Sequence, residues 1–363
     1  MPRVRMMDTP ADYQRLGVSP DGVELWEEKR RTEPGAGIYE WWYFDAILDD
    51  GTKVVIHFNT TDQPKLHLPQ DVPSVNIEIT GTDGVLHKQD AILEADQVSY
   101  GTDSCDNHFG PHSFVGDLKS YQIHVDPIDG LGADLVLTST AAPFRPGSGY
   151  IGFGDDDEMF FTWLCAVPRG NVTGTITVDG VTRSVAGSGY HDHQWSNIDP
   201  LRAWNTWLWA RQNFGDYSIL VFDFVAGGEF GFTRFPITFI HDADGNLVFE
   251  NTHDVTYEVF EEYTDPESGK DYPKVSEYTF SHDGTTIRYT LAVQDILGTL
   301  NAYVHAPDQV KAMFDKMGKR PSYGRYHALG DLVIQNPDGT TIERSGDLIY
   351  EFVYSGVSYR EYV

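Results

Sequence analysis

The densest run of chemically capable side chains is Tyr190-His191-Asp192-His193-Gln194-Trp195. On a strand, successive side chains alternate faces. His191, His193 and Trp195 then share one face, and Tyr190, Asp192 and Gln194 the other. His-x-His on a strand can put two imidazoles on one zinc ion, but a third His or carboxylate is needed and the sequence offers no obvious partner. Alternatively, Asp192 is an acid or base that the histidines hold through hydrogen bonds. A structural role also fits: a polar junction between barrels in which the histidines are satisfied.

Three more acids stand in apolar company. Glu40 precedes Trp41-Trp42-Tyr43-Phe44-Asp45. Alternation puts Glu40, Trp42 and Phe44 on one face and Trp41, Tyr43 and Asp45 on the other. A carboxyl group held against indole loses hydration, so its pKa rises and it becomes a proton donor. The structural alternative is that Glu40 or Asp45 satisfies backbone or tyrosine donors in a barrel wall. Asp223 shares a face with Ile219, Val221 and Val225, where an unpaired acid is costly to bury. It either faces a pocket as a neutral acid or pairs with Arg211 across a hairpin, on the face of Trp207 and Trp209. Those indoles with Arg211 make either a cation-stabilising wall or packed core. Glu351 lies in line with Ile349 and Val353, and Tyr323-Gly324-Arg325-Tyr326-His327 upstream contributes donors. His57 shares a face with Val55 and Asn59.

The elements that must position these residues are mostly strands. Short alternating runs are divided by turn signals such as Asp49-Asp50-Gly51, Thr82-Asp83-Gly84, Asp179-Gly180 and Asn336-Pro337-Asp338-Gly339. The last of these separates Gly330 to Gln335 from Thr340 to Glu343, with Leu348 to Tyr354 as a further strand. One helix is expected in the C-terminal half, Pro307 to Met317, with Met313 and Met317 packing against a barrel. The reading is all-β: two consecutive antiparallel barrels of about eight strands each. Trp41-Trp42-Tyr43-Phe44 and its return strand are echoed by Trp207-Leu208-Trp209-Ala210 and its own. Asp199-Pro200 breaks the pattern, which puts a domain boundary between residues 1–198 and 199–363.

Composition narrows the function. With 26 basic and 55 acidic residues the net charge is −29, which repels phosphate backbones and anionic headgroups. Nucleic acid is excluded as a partner. No stretch is long and apolar enough for membrane insertion. The first twenty residues lack a basic stretch followed by an apolar run, which points to a cytoplasmic protein. Cys105 and Cys165 form no Cys-x-x-Cys pair. Dinucleotide, P-loop and nucleophile-elbow motifs are missing, so the chemistry is expected to need neither metal nor cofactor.

Glu40-Trp41-Trp42-Tyr43-Phe44-Asp45 and Asp192-His193-Gln194-Trp195, with Glu343-Arg344-Ser345-Gly346-Asp347 leading to Glu351-Phe352, resemble the carotenoid 1,2-hydratase and AttH-like superfamily. Its wider relatives include kievitone hydratase and lipocalin-like Diels–Alderases. Ser196 stands where a glycine commonly follows the tryptophan of the second motif. The resemblance implies two lipocalin-like domains with a ligand pocket at or near their junction. It also implies hydration or ring closure of prenylated or polyene substrates without metal or nucleotide.

The resulting expectation is a hydratase or cyclase working by general acid catalysis on a hydrophobic small molecule. Asp192 donates the proton, with Glu40 or Asp223 next in line, and His191 or His193 takes the released one. Trp41, Trp207 and Trp209 stabilise positive charge, and Trp42, Tyr43, Trp195, Arg211, Tyr326 and Glu351 complete the binding surface. A pericyclase and a non-catalytic carrier of an apolar ligand are the alternatives.

Overall fold

The computed structural model describes residues 3–358. The chain divides into two compact units, Arg5–Asp199 and one built almost wholly from Pro200 onward. Each is an antiparallel sheet curled into a lipocalin-like half-barrel, with few helices.

The sheet of the first unit has 13 strands. Its path runs from Leu86–Ile92 through Ser74–Thr80, Lys53–Asn59, Tyr39–Leu48, Val181–Ser196, Met159–Val178, Leu131–Ser139, Ser120–Ile128, His112–Gly116 and Cys105–Phe109 to Val98–Ser99. The sheet of the second unit has nine strands. They are ordered Leu247–Asn251, Arg234–Asp242, Tyr217–Ala226, Trp204–Asn213, Thr341–Tyr354, Ser322–Gln335, Thr285–Leu300, Asp271–His282 and Thr256–Thr264. The tryptophan echo has a topological counterpart. In each unit the Trp-bearing strand lies between its own hairpin partner and the last strand of that unit.

Alternation builds the interiors. In the first unit Trp42, Phe44, Val54, Ile56, Phe58, Val75 and Ile77 pack inward. In the second the interior is rich in tyrosine, including Tyr272, Tyr278, Tyr289, Tyr326 and Tyr350. The Asp179-Gly180 turn closes a hairpin with both residues at positive φ, 52° and 76°, as a two-residue turn between twisted strands requires.

Several sequence expectations are corrected. Among the described residues the sheets have 13 and nine strands instead of about eight each. The Asp179-Gly180 hairpin is the tip of a far longer pair, Met159–Val178 with Val181–Ser196. Thr340 to Glu343 and Leu348 to Tyr354 belong to one strand, Thr341–Tyr354. The apparent break at Gly346 is a packing space: Gly330 and Gly346 pair directly, and the Gln212 amide crosses there to donate to the Gly346 carbonyl at 2.6 Å. A Cβ on Gly330 would stand 2.0 Å from Gln212 Oε1.

The expected C-terminal-half helix spans Asp308–Met317, but it buries Phe314 and leaves Met313 and Met317 exposed. A second helix, Pro10–Leu16, went unread. Thr9 and Asp12 cap it reciprocally, and Arg5 pairs with Asp12 at 2.6 Å. Cys105 and Cys165 are buried free thiols.

Candidate active site

The strand Val181–Ser196 runs antiparallel between Tyr39–Leu48 and Met159–Val178. Its register against the first places His191 opposite Phe44, Asp192 opposite Tyr43, His193 opposite Trp42, Gln194 opposite Trp41 and Trp195 opposite Glu40. The two faces of this strand carry two different chemistries.

The core-facing side holds an ion cluster. His191, His193, Glu40 and Glu28 are all fully buried. His191 Nδ1 donates to the Tyr43 carbonyl at 2.8 Å, and its Nε2 lies 2.9 Å from Glu28 Oε2. Both ring nitrogens therefore face oxygen atoms of the Tyr43 carbonyl and Glu28. Tyr121 donates its hydroxyl to the same Glu28 oxygen at 2.9 Å. His193 Nε2 lies 2.7 Å from Glu40 Oε1, and Trp42 stacks on the His193 ring at 4.6 Å. His193 Nδ1 and Glu28 Oε1 stand 3.4 Å apart, close enough for attraction but without hydrogen-bond geometry. Glu40 also accepts from the Arg31 and Thr32 backbone N–H groups at 2.7 and 2.8 Å.

Burial alone would push Glu28 upward, but His191 and His193 outweigh it and hold this carboxyl well below the usual range. Burial alone would lower His193, but hydrogen bonds to Glu28 and Glu40 reverse the direction and raise it. Trp42 and Trp195 belong to the same interior. Trp42 donates to the Glu28 carbonyl at 3.1 Å, and Trp195 donates to the Tyr150 hydroxyl at 3.0 Å.

The opposite side carries Asp192, which is 3% exposed. Its Oδ2 accepts from Trp163 Nε1 at 3.1 Å and from the Tyr190 hydroxyl at 2.8 Å. Its Oδ1 accepts from Gln194 Nε2 at 3.2 Å. Among the described residues no cation pairs with it. Burial raises its pKa, the Tyr190 and Trp163 donors moderate the rise, and the carboxyl settles at about 6. Trp163 pairs with Gln194 next to a register shift in its strand, and such irregularities re-aim side chains. Trp41 and Tyr43 share this face. Trp41 stacks on Tyr39 at 4.7 Å, and Tyr43 lies 6.0 Å from Tyr190, edge to face.

This geometry corrects two expectations. The histidines do not hold Asp192, because alternation sends both imidazoles to the other side of the sheet. Its donors are Trp163, Tyr190 and Gln194. For the same reason His191 and His193 are not placed to take a proton released on the Asp192 face.

Within the second unit Asp223 lies opposite Leu208 and faces inward, whereas Arg211 lies opposite Leu220 on the other face. The expected Asp223–Arg211 pair does not form. Arg234 grips the Asp223 carboxylate through Nε and the terminal nitrogen, and the Tyr278 hydroxyl donates to it at 2.8 Å. The Arg234 guanidinium lies over the Tyr257 ring at 4.0 Å. Tyr326 is also interior and shares a hydrogen bond with Tyr263 at 2.8 Å. Trp207, Trp209 and Arg211 sit half-buried on the side away from the core, with Arg211 5.7 Å from the Trp209 ring. Glu351, opposite Trp209, accepts from the Tyr323 hydroxyl at 2.6 Å.

Sequence reasoning missed Glu28, Trp163 and Arg234. Glu28 sits in the run Glu27-Glu28-Lys29-Arg30-Arg31, which reads as a solvated charge cluster. No local pattern shows that its side chain turns inward. Trp163 lies in an apolar strand and carried no signal of its own.

Among the described residues, no group of three or more His, Cys, Asp and Glu side chains is arranged to hold a metal ion. No helix among them is long and apolar enough to cross a membrane. Fold and site together define a two-unit, lipocalin-like β protein with a buried, cation-free carboxyl group against an aromatic face. A family profile described as AttH-like matches residues 35–303, and the chain belongs to the AttH-like family.

The chain is 25% identical over 223 residues to the quinolone epoxide rearrangement protein penF of Penicillium thymicola, covering 56% of this chain and 60% of penF. Among solved structures, CghA with Sch210972 superposes with a TM-score of 0.59 at 12% identity, covering 98% of this chain and 99% of CghA. Kievitone hydratase from Nectria haematococca superposes with a TM-score of 0.53 at 15% identity, covering 98% of each chain. At these identities the two structures attest the fold.

Proposed function

We propose that this protein is a cofactor-independent hydratase or cyclase that starts its reaction by transferring a proton from Asp192 to a hydrophobic, prenylated, terpenoid or polyketide-like small molecule. The observation that carries the reading is the environment of Asp192. It is a buried carboxyl group with three neutral donors and no cation, and its pKa is pushed up to about 6. Burial keeps the proton on the acid up to about pH 6 and leaves roughly a tenth of it protonated at neutral pH. The three donors then accept the carboxylate left after transfer.

The names of penF and kievitone hydratase carry epoxide rearrangement and hydration, and protonation of the substrate by an acid can start either kind of reaction. The positive charge that develops is stabilised by aromatic faces, and Trp41 and Tyr43 lie on the Asp192 side of the sheet. Water or an internal hydroxyl then attacks, giving hydration or ring closure. Positioning contributes several further kcal/mol, on the order of effective-molarity effects.

The test is turnover of a quinolone epoxide by wild type and Asp192→Asn, followed by mass spectrometry. The variant should lose on the order of 10²- to 10⁴-fold in kcat while keeping KM. Full activity in Asp192→Asn with a rate independent of pH would remove the acid and favour a pericyclic closure.

A further inference from the structure

We infer that His57 is the catalytic base that works opposite Asp192, the two side chains flanking a substrate laid across Tyr43. This rests on the acid role proposed for Asp192. The register places Asp192, Tyr43, His57, Asn76 and Asp90 in one row across five adjacent strands. Direct partners in a sheet point to the same face, so His57 shares the Asp192 side that His191 and His193 do not. Neighbouring strands lie about 4.8 Å apart, which separates the backbones of Asp192 and His57 by roughly 10 Å. That gap leaves room for a flat substrate and a nucleophile over the Tyr43 ring.

The His57 ring tilts against Tyr43 with centroids 4.9 Å apart and is half-buried on that face. The groups facing it are occupied elsewhere. Glu78 pairs with Lys88 at 2.8 Å, Asp90 accepts from Asn76 at 2.7 Å, and Asp45 accepts from the Tyr43 hydroxyl at 3.1 Å. Burial lowers its pKa to about 4, the nearby Lys88 adds to the fall, and Glu78 and Asp90 oppose it. The imidazole is thus a neutral acceptor while Asp192 still holds its proton. Environments that drive an acid up and a base down assign the two roles.

The step balances for an epoxide substrate. Asp192 gives its proton to the epoxide oxygen and becomes a carboxylate. The C–O bond breaks with both electrons going to that oxygen, leaving a carbocation. Water, or a hydroxyl of the substrate, forms the new C–O bond, and its O–H bond breaks with the proton passing to a His57 ring nitrogen. Epoxide plus water gives a diol, or an internal hydroxyl gives a ring. Solvent then takes the proton from His57 and returns one to Asp192.

The test compares wild type, His57→Gln and Asp192→Asn between pH 3 and 8 with a quinolone epoxide as probe, alongside NMR titration of the histidine rings. His57→Gln should lose about 10²-fold in kcat, keep KM within about twofold, and lose the acidic limb near pH 4, a change that a packing role would not produce. The His57 ring resonances should stay neutral to about pH 4 and shift when the probe saturates. A wild-type rate and acidic limb in His57→Gln, with Asp192→Asn inactive, would overturn the base and leave the acid standing. An active Asp192→Asn would instead remove the acid reading itself. His57 resonances unmoved by saturating probe would overturn the base even if no variant turned the probe over.

Discussion

The two faces of the strand Val181–Ser196 hold buried titratable groups one residue apart and treat them in opposite ways. Toward the core, His191 and His193 are matched with Glu28 and Glu40 in an ion cluster. On the other side the donors to Asp192 among the described residues are all neutral. Pairing makes the first group part of the fold. Desolvation without a counter-charge leaves the second holding a transferable proton. Sequence proximity to an imidazole is therefore a poor guide to reactivity, and the charge balance on each side of the sheet is a better one.

The largest expected effect breaks the paired side. Glu28→Ala leaves two buried imidazoles short of an anion and should cost about 3–5 kcal/mol in urea unfolding. The loss depends on pH. The carboxyl of Glu28 is depressed, so its contribution is present above about 4.5 and fades as pH falls. The imidazole of His193 is raised, so its contribution is present below about 6.5 and fades as pH rises. The difference between wild type and variant should peak between those values. A difference flat from pH 3 to 8 would show that the cluster stabilises by packing alone.

The unpaired side predicts the opposite sign. The folded protein holds the Asp192 proton up to about 6, against an ordinary value of 3.8. Its stability therefore falls as pH rises through that interval and stays lower above it. Asp192→Asn should be more stable than wild type at pH 8 by roughly 3 kcal/mol and gain nothing at pH 3. Thermal unfolding at the two pH values checks this, and an equal or reduced Tm at pH 8 would place a hidden cation beside Asp192.

A smaller effect sharpens the contrast. Tyr190→Phe removes one donor from the Asp192 carboxylate, so the acid should weaken. The basic limb of the pH–rate profile should move upward by about one pH unit, since a hydrogen bond to a charged group contributes about 1.5–3 kcal/mol. An unmoved limb would separate the rate-controlling acid from Asp192.

Much of this was legible in the sequence. Alternation placed His191, His193 and Trp195 on one side and Asp192 with Gln194 on the other, as the register shows. It also gave Asp223 its correct face with Ile219 and Val221, while neither alternative offered for it, a neutral acid in a pocket or a pair with Arg211, named Arg234. That error has a physical origin. A hairpin suggests cross-strand partners by proximity, but Arg234, on the neighbouring strand, reaches over to Asp223 from the core side. The stretch around Gly346 falls outside the strands expected on either side of it, although the glycines at 330 and 346 make room for Gln212 inside a continuous pair of strands. His57 looked unremarkable because its significance lies in a row formed by five separate strands.

The sequence by itself determined which side chains share a face, because strand geometry repeats every two residues and needs only local information. It also determined that acids would stand among aromatic and aliphatic neighbours. Tertiary structure decided which of those acids would be neutralised, since that depends on contacts of about 3 Å. Glu28 reaches His191 from 163 positions away, whereas among the described residues no cation pairs directly with Asp192. Proton affinity follows from such distances and from exclusion of water, and neither is written in the order of residues along the chain.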